Sequence, residues 1–160
     1  MLIRQARPDE SALVAEVLTS AAAGLAQRGE ALWDLSEVGE AAIQEHVRAG
    51  MYFIATDDEG PVGVFRFQLE DRHFWPEIPA GSSAFLHKLA VHPRMQGRGI
   101  AQKLLAHACE SARHKGLPYL RLDCMHGRPR LSAVYQRFGF RHHSDKQLGA
   151  QLFERYEIAV

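Results

Sequence analysis

Several features that would assign a function on their own are scarce in this chain. Only two of its 160 residues are cysteine, Cys109 and Cys124. They are too few for a disulfide framework and lack the paired spacing of a zinc ribbon, so a reducing, cytoplasmic setting is expected. Nine histidines occur, yet no HExxH run or Cys/His cluster at ligand spacing accompanies them. No metal is expected, and His142-His143 reads as a solvent-facing pair. Excess charge is absent as well: 19 basic side chains balance 19 acidic ones, which argues against nucleic acid or a membrane surface as partner. No apolar run approaches the ~18 residues of a membrane span, and Met1-Leu2-Ile3-Arg4-Gln5 lacks the apolar core of a signal peptide. Repeats and low-complexity tracts are also missing. What remains, 46% hydrophobic and 24% charged, suits one compact domain over residues 1–160.

Periodicity supplies the elements. A short strand is expected over 2–6, ended by Arg7-Pro8. A helix capped by Asp9 should follow, carrying Val14, Val17, Leu18 and Ala21 at helical spacing. A second helix should start at Ser36 and stop at Gly50. Strands over 51–56 and 62–69 flank an acidic turn at 57–61, and a third strand covers 85–91. Helix 100–115, strand 119–124, helix 132–138 and two closing strands complete an α/β sandwich around a mixed sheet. A right-handed crossover should join the strands at Phe85 and Tyr119. The connection 70–82 contains Asp71-Arg72-His73-Phe74-Trp75-Pro76-Glu77. It is long and aromatic for mere linkage, and reads either as a substrate loop or as a loop tucked onto the sheet by its rings.

The most informative stretch is Leu89-Ala90-Val91-His92-Pro93-Arg94-Met95-Gln96-Gly97-Arg98-Gly99-Ile100-Ala101, a strand pattern running through a glycine turn into an amphipathic helix. A helix start offers unpaired N–H groups and the positive end of the macrodipole to an anion. Glycine lets a ligand oxygen approach the main chain closely. Gln102 stands where a dinucleotide fingerprint wants its third glycine, and no Gly-Lys-Ser/Thr follows. Both common nucleotide motifs are thereby excluded. The form left is Arg94-x-x-Gly97-x-Gly99.

With Ala133-Val134-Tyr135-Gln136-Arg137-Phe138-Gly139-Phe140 downstream, the chain resembles the GNAT superfamily of acyl-CoA-dependent N-acyltransferases. The matching motifs lie between about Phe85 and Phe140. The glycine turn resembles that family's pyrophosphate loop, Leu89-Ala90-Val91 its preceding strand, and the tyrosine run its late helix and Gly-Phe turn. Arg28-Gly29-x-x-Leu32-Trp33 also resembles a segment near the acceptor site of some members. The resemblance implies a mixed, mostly antiparallel six- to seven-stranded sheet flanked by about four helices. It departs at Arg128, where many relatives carry asparagine; this arginine either reaches a CoA phosphate or faces solvent.

The resemblance further implies an enzyme that passes the acetyl group of acetyl-CoA to the primary amine of a small molecule or peptide, by direct attack in a ternary complex. The alternative is an acyl-CoA-binding module without turnover. Cofactor contacts would come from Leu89, Ala90, Val91, Arg94, Gln96, Gly97, Arg98, Gly99, Ile100, Ala101 and Arg128, with the oxyanion received by a main-chain N–H near Leu89 or Ala90. Tyr135 is the expected acid for the departing thiolate, since a phenol is protonated at neutral pH. For the base the candidate is His87, which strand parity places on the side of Leu89 and Val91; Asp123 and Glu77 are its rivals. Trp33, His73, Trp75 and Glu77 are the expected acceptor contacts, aromatic faces and a carboxylate that suit a cationic amine. Dimers are common among relatives, so a homodimer stays open.

Overall fold

The computed structural model describes residues 1–160. Its elements run β1 (Leu2–Gln5), α1 (Ser11–Gln27), α2 (Leu35–Val38), α3 (Glu40–Arg48), β2 (Tyr52–Asp57), β3 (Gly60–Gln68), β4 (Ala84–Val91), α4 (Ile100–His114), β5 (Tyr119–Met125), α5 (Pro129–Phe138), β6 (Arg141–Leu148) and β7 (Gln151–Ala159). The strands form one mixed sheet in the order β1-β2-β3-β4-β5-β7-β6. The β4–β5 pair is parallel, as the expected crossover requires, and the pairs β1–β2, β2–β3, β5–β7 and β6–β7 are antiparallel. Four helices, α1, α3, α4 and α5, have nine residues or more. No helix is long and apolar enough to cross a membrane.

Local chemistry corrects three expected boundaries. The single helix expected from Ser36 is two, because Gly39 is extended at φ −64°, ψ 160° and serves both as the end of α2 and as the N-cap of α3. Asp34, not Ser36, caps α2: its carboxylate accepts from Ser36 N–H at 2.9 Å and Glu37 reaches back in a capping box. At α1 the N-cap position belongs to Glu10 rather than Asp9, and Glu10 makes no cap bond of its own. Its carboxylate is instead held by the Arg4 guanidinium, 2.7 Å on each oxygen, and by Arg7 N–H at 2.8 Å. Finally α5 begins at Pro129, ahead of the expected Ser132, since proline is preorganised for a first helical turn.

The chain divides into two compact units, residues 1–66 with 88–104, and residues 67–87 with 105–160. In the first, Val14, Val17, Leu18 and Ala21 of α1 pack with Ile43 and Val47 of α3 and with Tyr52, Ile54 and Val64 of the sheet. Burying each large aliphatic side chain contributes about 1.5–3 kcal/mol. On the other face of β2 and β3, Phe53 and Phe65 stand opposite in register and stack at 5.0 Å. Gly63 of β3 admits the first turn of α4: a Cβ there would lie 2.8 Å from Leu104 Cδ1, 3.2 Å from Ile100 Cγ2 and 3.3 Å from the Ala90 carbonyl oxygen. In the second unit, Phe85, Leu120, Leu122 and Tyr156 are fully or almost fully buried. Beside them Arg121 and Glu157 form a buried ion pair, with Ser83 Oγ accepting from Arg121 at 3.1 Å and Arg141 donating to Glu157 at 2.7 Å.

Candidate functional site

In the first unit β4 ends at Val91 and a 3-10 turn, Pro93–Met95, follows. His92 caps that turn, its Nδ1 accepting from Arg94 N–H at 3.3 Å, while its own N–H donates to the Val62 carbonyl at 2.8 Å. The chain then passes through exposed Gln96, Gly97, Arg98 and Gly99 into buried Ile100, the first residue of α4. Gly97 and Gly99 both have φ +74°, a left-handed conformation that other residues adopt only with strain. A Cβ on either would meet nothing within 4 Å. The turn is therefore an open, backbone-walled cradle at the head of a 15-residue helix, the arrangement that suits a phosphate.

Arg94 does something the sequence concealed. Its guanidinium grips Asp57 with two bonds of 2.9 and 3.1 Å and Glu59 with one of 3.3 Å, so it braces the cradle against the β2–β3 hairpin. The Arg94 bond holds the Asp57 carboxyl down at about 2. The acidic turn, legible only as a turn, is thus the anchor of the glycine loop. Arg98 is exposed, and Ala101 is half-buried.

Upstream, Leu89 and Val91 are half-buried and Ala90 is buried. Lys88, just before them, has φ +52°. Strand alternation assumes continuous extended backbone, so the parity that tied His87 to Leu89 and Val91 does not carry past Lys88. A left-handed lysine costs on the order of 1–3 kcal/mol and survives where its surroundings enforce it. Its ammonium sits 5.0 Å from the centre of the Trp33 ring, and Trp33 packs against the first unit's core while remaining partly exposed.

The second unit holds the candidate acid and base. Tyr135, on α5, is 5% exposed and meets Phe140 edge-on at 6.0 Å. Burial, with the Asp123 charge adding to it, pushes its phenol well above the ordinary value, so it keeps its proton. His87 Nε2 lies 2.7 Å from Asp71 Oδ2 and His87 Nδ1 3.5 Å from Asp123 Oδ1, with all three side chains largely buried. One donor atom from each lies within 4.8 Å of the others, a grouping no local spacing in the sequence announced. Burial raises both thiols, Cys109 to about 11 and Cys124 to about 12, which makes them unreactive packing residues. Arg128 is half-buried at the N-cap of α5, 3.9 Å from Met125 Sδ.

The aromatic loop corrects an expectation. Trp75, expected to face an acceptor, is fully buried. The guanidinium carbons of Arg155 and Arg121 lie 4.4 and 5.1 Å from its ring centre, and His143 meets it edge-on at 5.1 Å. Indole burial and two cation–π contacts tuck the loop onto the sheet. Arg155 also donates to the Phe74 carbonyl at 2.9 Å and pairs with Glu77 at 2.6 Å, so the Glu77 charge is engaged. The loop ends meet where Gly81 N–H donates to the Leu69 carbonyl at 2.8 Å. His73 alone of the loop's expected contacts is exposed and unburdened by an ion pair. The residues that sequence reasoning missed are Asp57, known there only as turn, and Asp71, hidden in the aromatic run.

Comparison with known proteins follows the same lines. A family model described as Acetyltransferase (GNAT) family matches residues 20–140. An uncharacterized N-acetyltransferase of Bacillus subtilis is 31% identical over 85 residues, which cover 53% of this chain and 47% of that protein. The match thus spans about half the length of that curated relative. A GNAT-family acetyltransferase structure from Listeria monocytogenes aligns with a TM-score of 0.83 at 20% identity, covering 99% of this chain and 94% of that one. A putative acetyltransferase from Salmonella typhimurium, solved with its cofactor acetyl-CoA, aligns at 0.75 and 18% identity, covering 99% and 93%. The structural likenesses are likenesses of fold. The family match extends over most of the chain, which therefore belongs to the acetyltransferase (GNAT) family.

Proposed function

We propose that this protein transfers the acetyl group of acetyl-CoA to the primary amine of a small molecule or peptide by direct attack. The observation that carries this reading is the cradle of Gly97 and Gly99, both at φ +74° with open space before them. Its N–H groups from Gly97 through Ala101 suit the pyrophosphate, the Gln96 N–H being given to the Pro93 carbonyl at 3.3 Å, and Arg94 serves by bracing the turn on Asp57 rather than by direct charge. The main chain of Leu89, Ala90 and Val91 suits the pantetheine arm, which would pair as an added strand. An N–H near Leu89 or Ala90 would meet the oxyanion, a donor worth roughly 2.7–4 kcal/mol in known cases. Trp33 supplies an aromatic face for the acceptor.

The ammonium of the acceptor surrenders two protons over the reaction. His87 is the proposed receiver of one before attack. The other balances the thiolate that leaves as the C–N bond forms and the C–S bond breaks, with Tyr135 as donor to sulfur. The raised phenol pKa guarantees the protonated form beforehand.

The test is the release of free CoA thiol from acetyl-CoA on addition of a panel of amines. Amine-dependent release with a matching N-acetyl product is expected. Tight acetyl-CoA binding without such release would overturn the transferase reading and leave a binding module.

A further inference from the structure

Asp71 occupies a position that packing alone does not explain. It is 4% exposed. One carboxylate oxygen accepts the N–H groups of Phe74 and His73 at 2.9 and 3.2 Å, and the other faces His87 Nε2 at 2.7 Å. Burial by itself would raise its pKa, but the bonds from His87 and the two main-chain donors outweigh burial and lower it. The carboxylate is therefore ionised and can only accept, so Nε2 of the imidazole carries hydrogen, and in the neutral ring the lone pair is the one on Nδ1. Nδ1 is 3.5 Å from Asp123 Oδ1, longer than an ordinary hydrogen bond.

The aromatic loop gives this arrangement its rigidity. Trp75 under Arg155, the Arg155 bond to the Phe74 carbonyl and the Arg155–Glu77 pair clamp the residues just after Asp71. Phe74 itself lies against both His87, at 5.8 Å, and Phe153, at 5.0 Å. A loop this firmly held delivers one carboxylate to one ring nitrogen.

We infer that Asp71 is a positioning residue: it locks His87 in the Nε2–H tautomer, so that Nδ1, on the Asp123 side, is the atom that takes the ammonium proton. The inference rests on the acetyl transfer proposed above. In that step an N–H bond of the ammonium breaks and an N–H bond forms on Nδ1. The imidazolium is then flanked by the Asp71 and Asp123 carboxylates, and its proton passes to water when the ring is reset.

Asp71→Asn separates this role from simple support of the loop. An asparagine oxygen can still accept from Phe74 and His73, but its amide presents a donor to Nε2 and forces the opposite tautomer. Nitrogen NMR of protein labelled at histidine, with His87→Gln for assignment, reads the tautomer in the resting protein. Wild type should show Nε2–H and Asp71→Asn should show Nδ1–H. The variant should lose about 10²-fold or more in kcat with the KM for acetyl-CoA unchanged, while the melting temperature falls because the carboxylate stabilised by His87 and two main-chain N–H groups is gone. An Nδ1–H tautomer in wild type, or an Asp71→Asn enzyme of undiminished kcat, would overturn the role of Asp71. Nε2–H in wild type without any amine-dependent thiol release overturns the transferase reading instead.

Discussion

The two units solve opposite problems with opposite materials. The first offers an exposed turn whose useful groups are main-chain N–H, shaped by two glycines and steadied from behind by Arg94 on Asp57. The second gathers buried side chains, Tyr135, His87, Asp71 and Asp123, in surroundings that raise the Tyr135 phenol, lower the Asp71 carboxyl and hold the His87 ring between two carboxylates. A phosphate needs many weak donors in fixed directions and tolerates water; backbone supplies them cheaply. Proton transfer needs particular atoms of particular pKa, which only side chains in a desolvated setting provide. The contrast implies that the cradle should be sensitive to added atoms and the buried cluster to exchanged ones.

The sharpest break is Gly97→Glu. A carboxylate at the phosphate seat should abolish acetyl-CoA binding, a loss beyond 100-fold by calorimetry, while the protein stays folded: a Cβ there meets nothing within 4 Å, and the left-handed backbone costs a non-glycine residue roughly 1–2 kcal/mol. Normal binding by this variant would remove the basis of the cradle. Next comes Tyr135→Phe, which deletes one oxygen: kcat should fall about 10²-fold with acetyl-CoA affinity preserved. An undiminished rate would transfer the acid role elsewhere. Gly63→Ala tests the cradle from beneath, by pushing on Leu104 and Ile100. Denaturant unfolding should show a loss of about 1–3 kcal/mol, the usual range for overpacking; no loss would mean that the first turn of α4 yields freely.

The gentlest test is Asp57→Asn. The native carboxyl is held at about 2 by Arg94, below its unfolded value near 3.9. Its contribution to stability is therefore complete above pH ~4 and disappears as pH falls toward about 2. Wild-type stability should therefore fall with acid between pH ~4 and about 2 in part through Asp57, and the variant should lack this part of the acid slope. Acetyl-CoA affinity should drop a few-fold as the brace loosens. Identical acid profiles would show that the pair adds nothing.

Sequence alone disclosed the first unit's chemistry better than the second's, for a physical reason. The cradle is local: strand, glycines and helix are consecutive, and glycine is needed where φ is positive. The element order was legible likewise, from apolar periods and Gly/Pro punctuation. Contacts across the fold left no such trace. Asp57 and Arg94 are 37 residues apart and Asp71 and His87 are 16 apart, and nothing in either segment names its partner. Lys88 carries no compositional mark of its left-handed backbone. Trp75 was misjudged because a loop's composition does not reveal which of its rings turns inward. The split at Gly39 was missed since Ser36 is as good a cap by type as Asp34.

The burial of Trp75 has a practical side. The chain has two tryptophans, and each unit holds one: Trp33, partly exposed beneath a lysine, and Trp75, sealed between arginines. A sealed indole emits at shorter wavelength than a wetted one. Intrinsic fluorescence can therefore be split by colour, without any attached dye, into separate records of the two halves of the molecule as they titrate, melt or take up ligand.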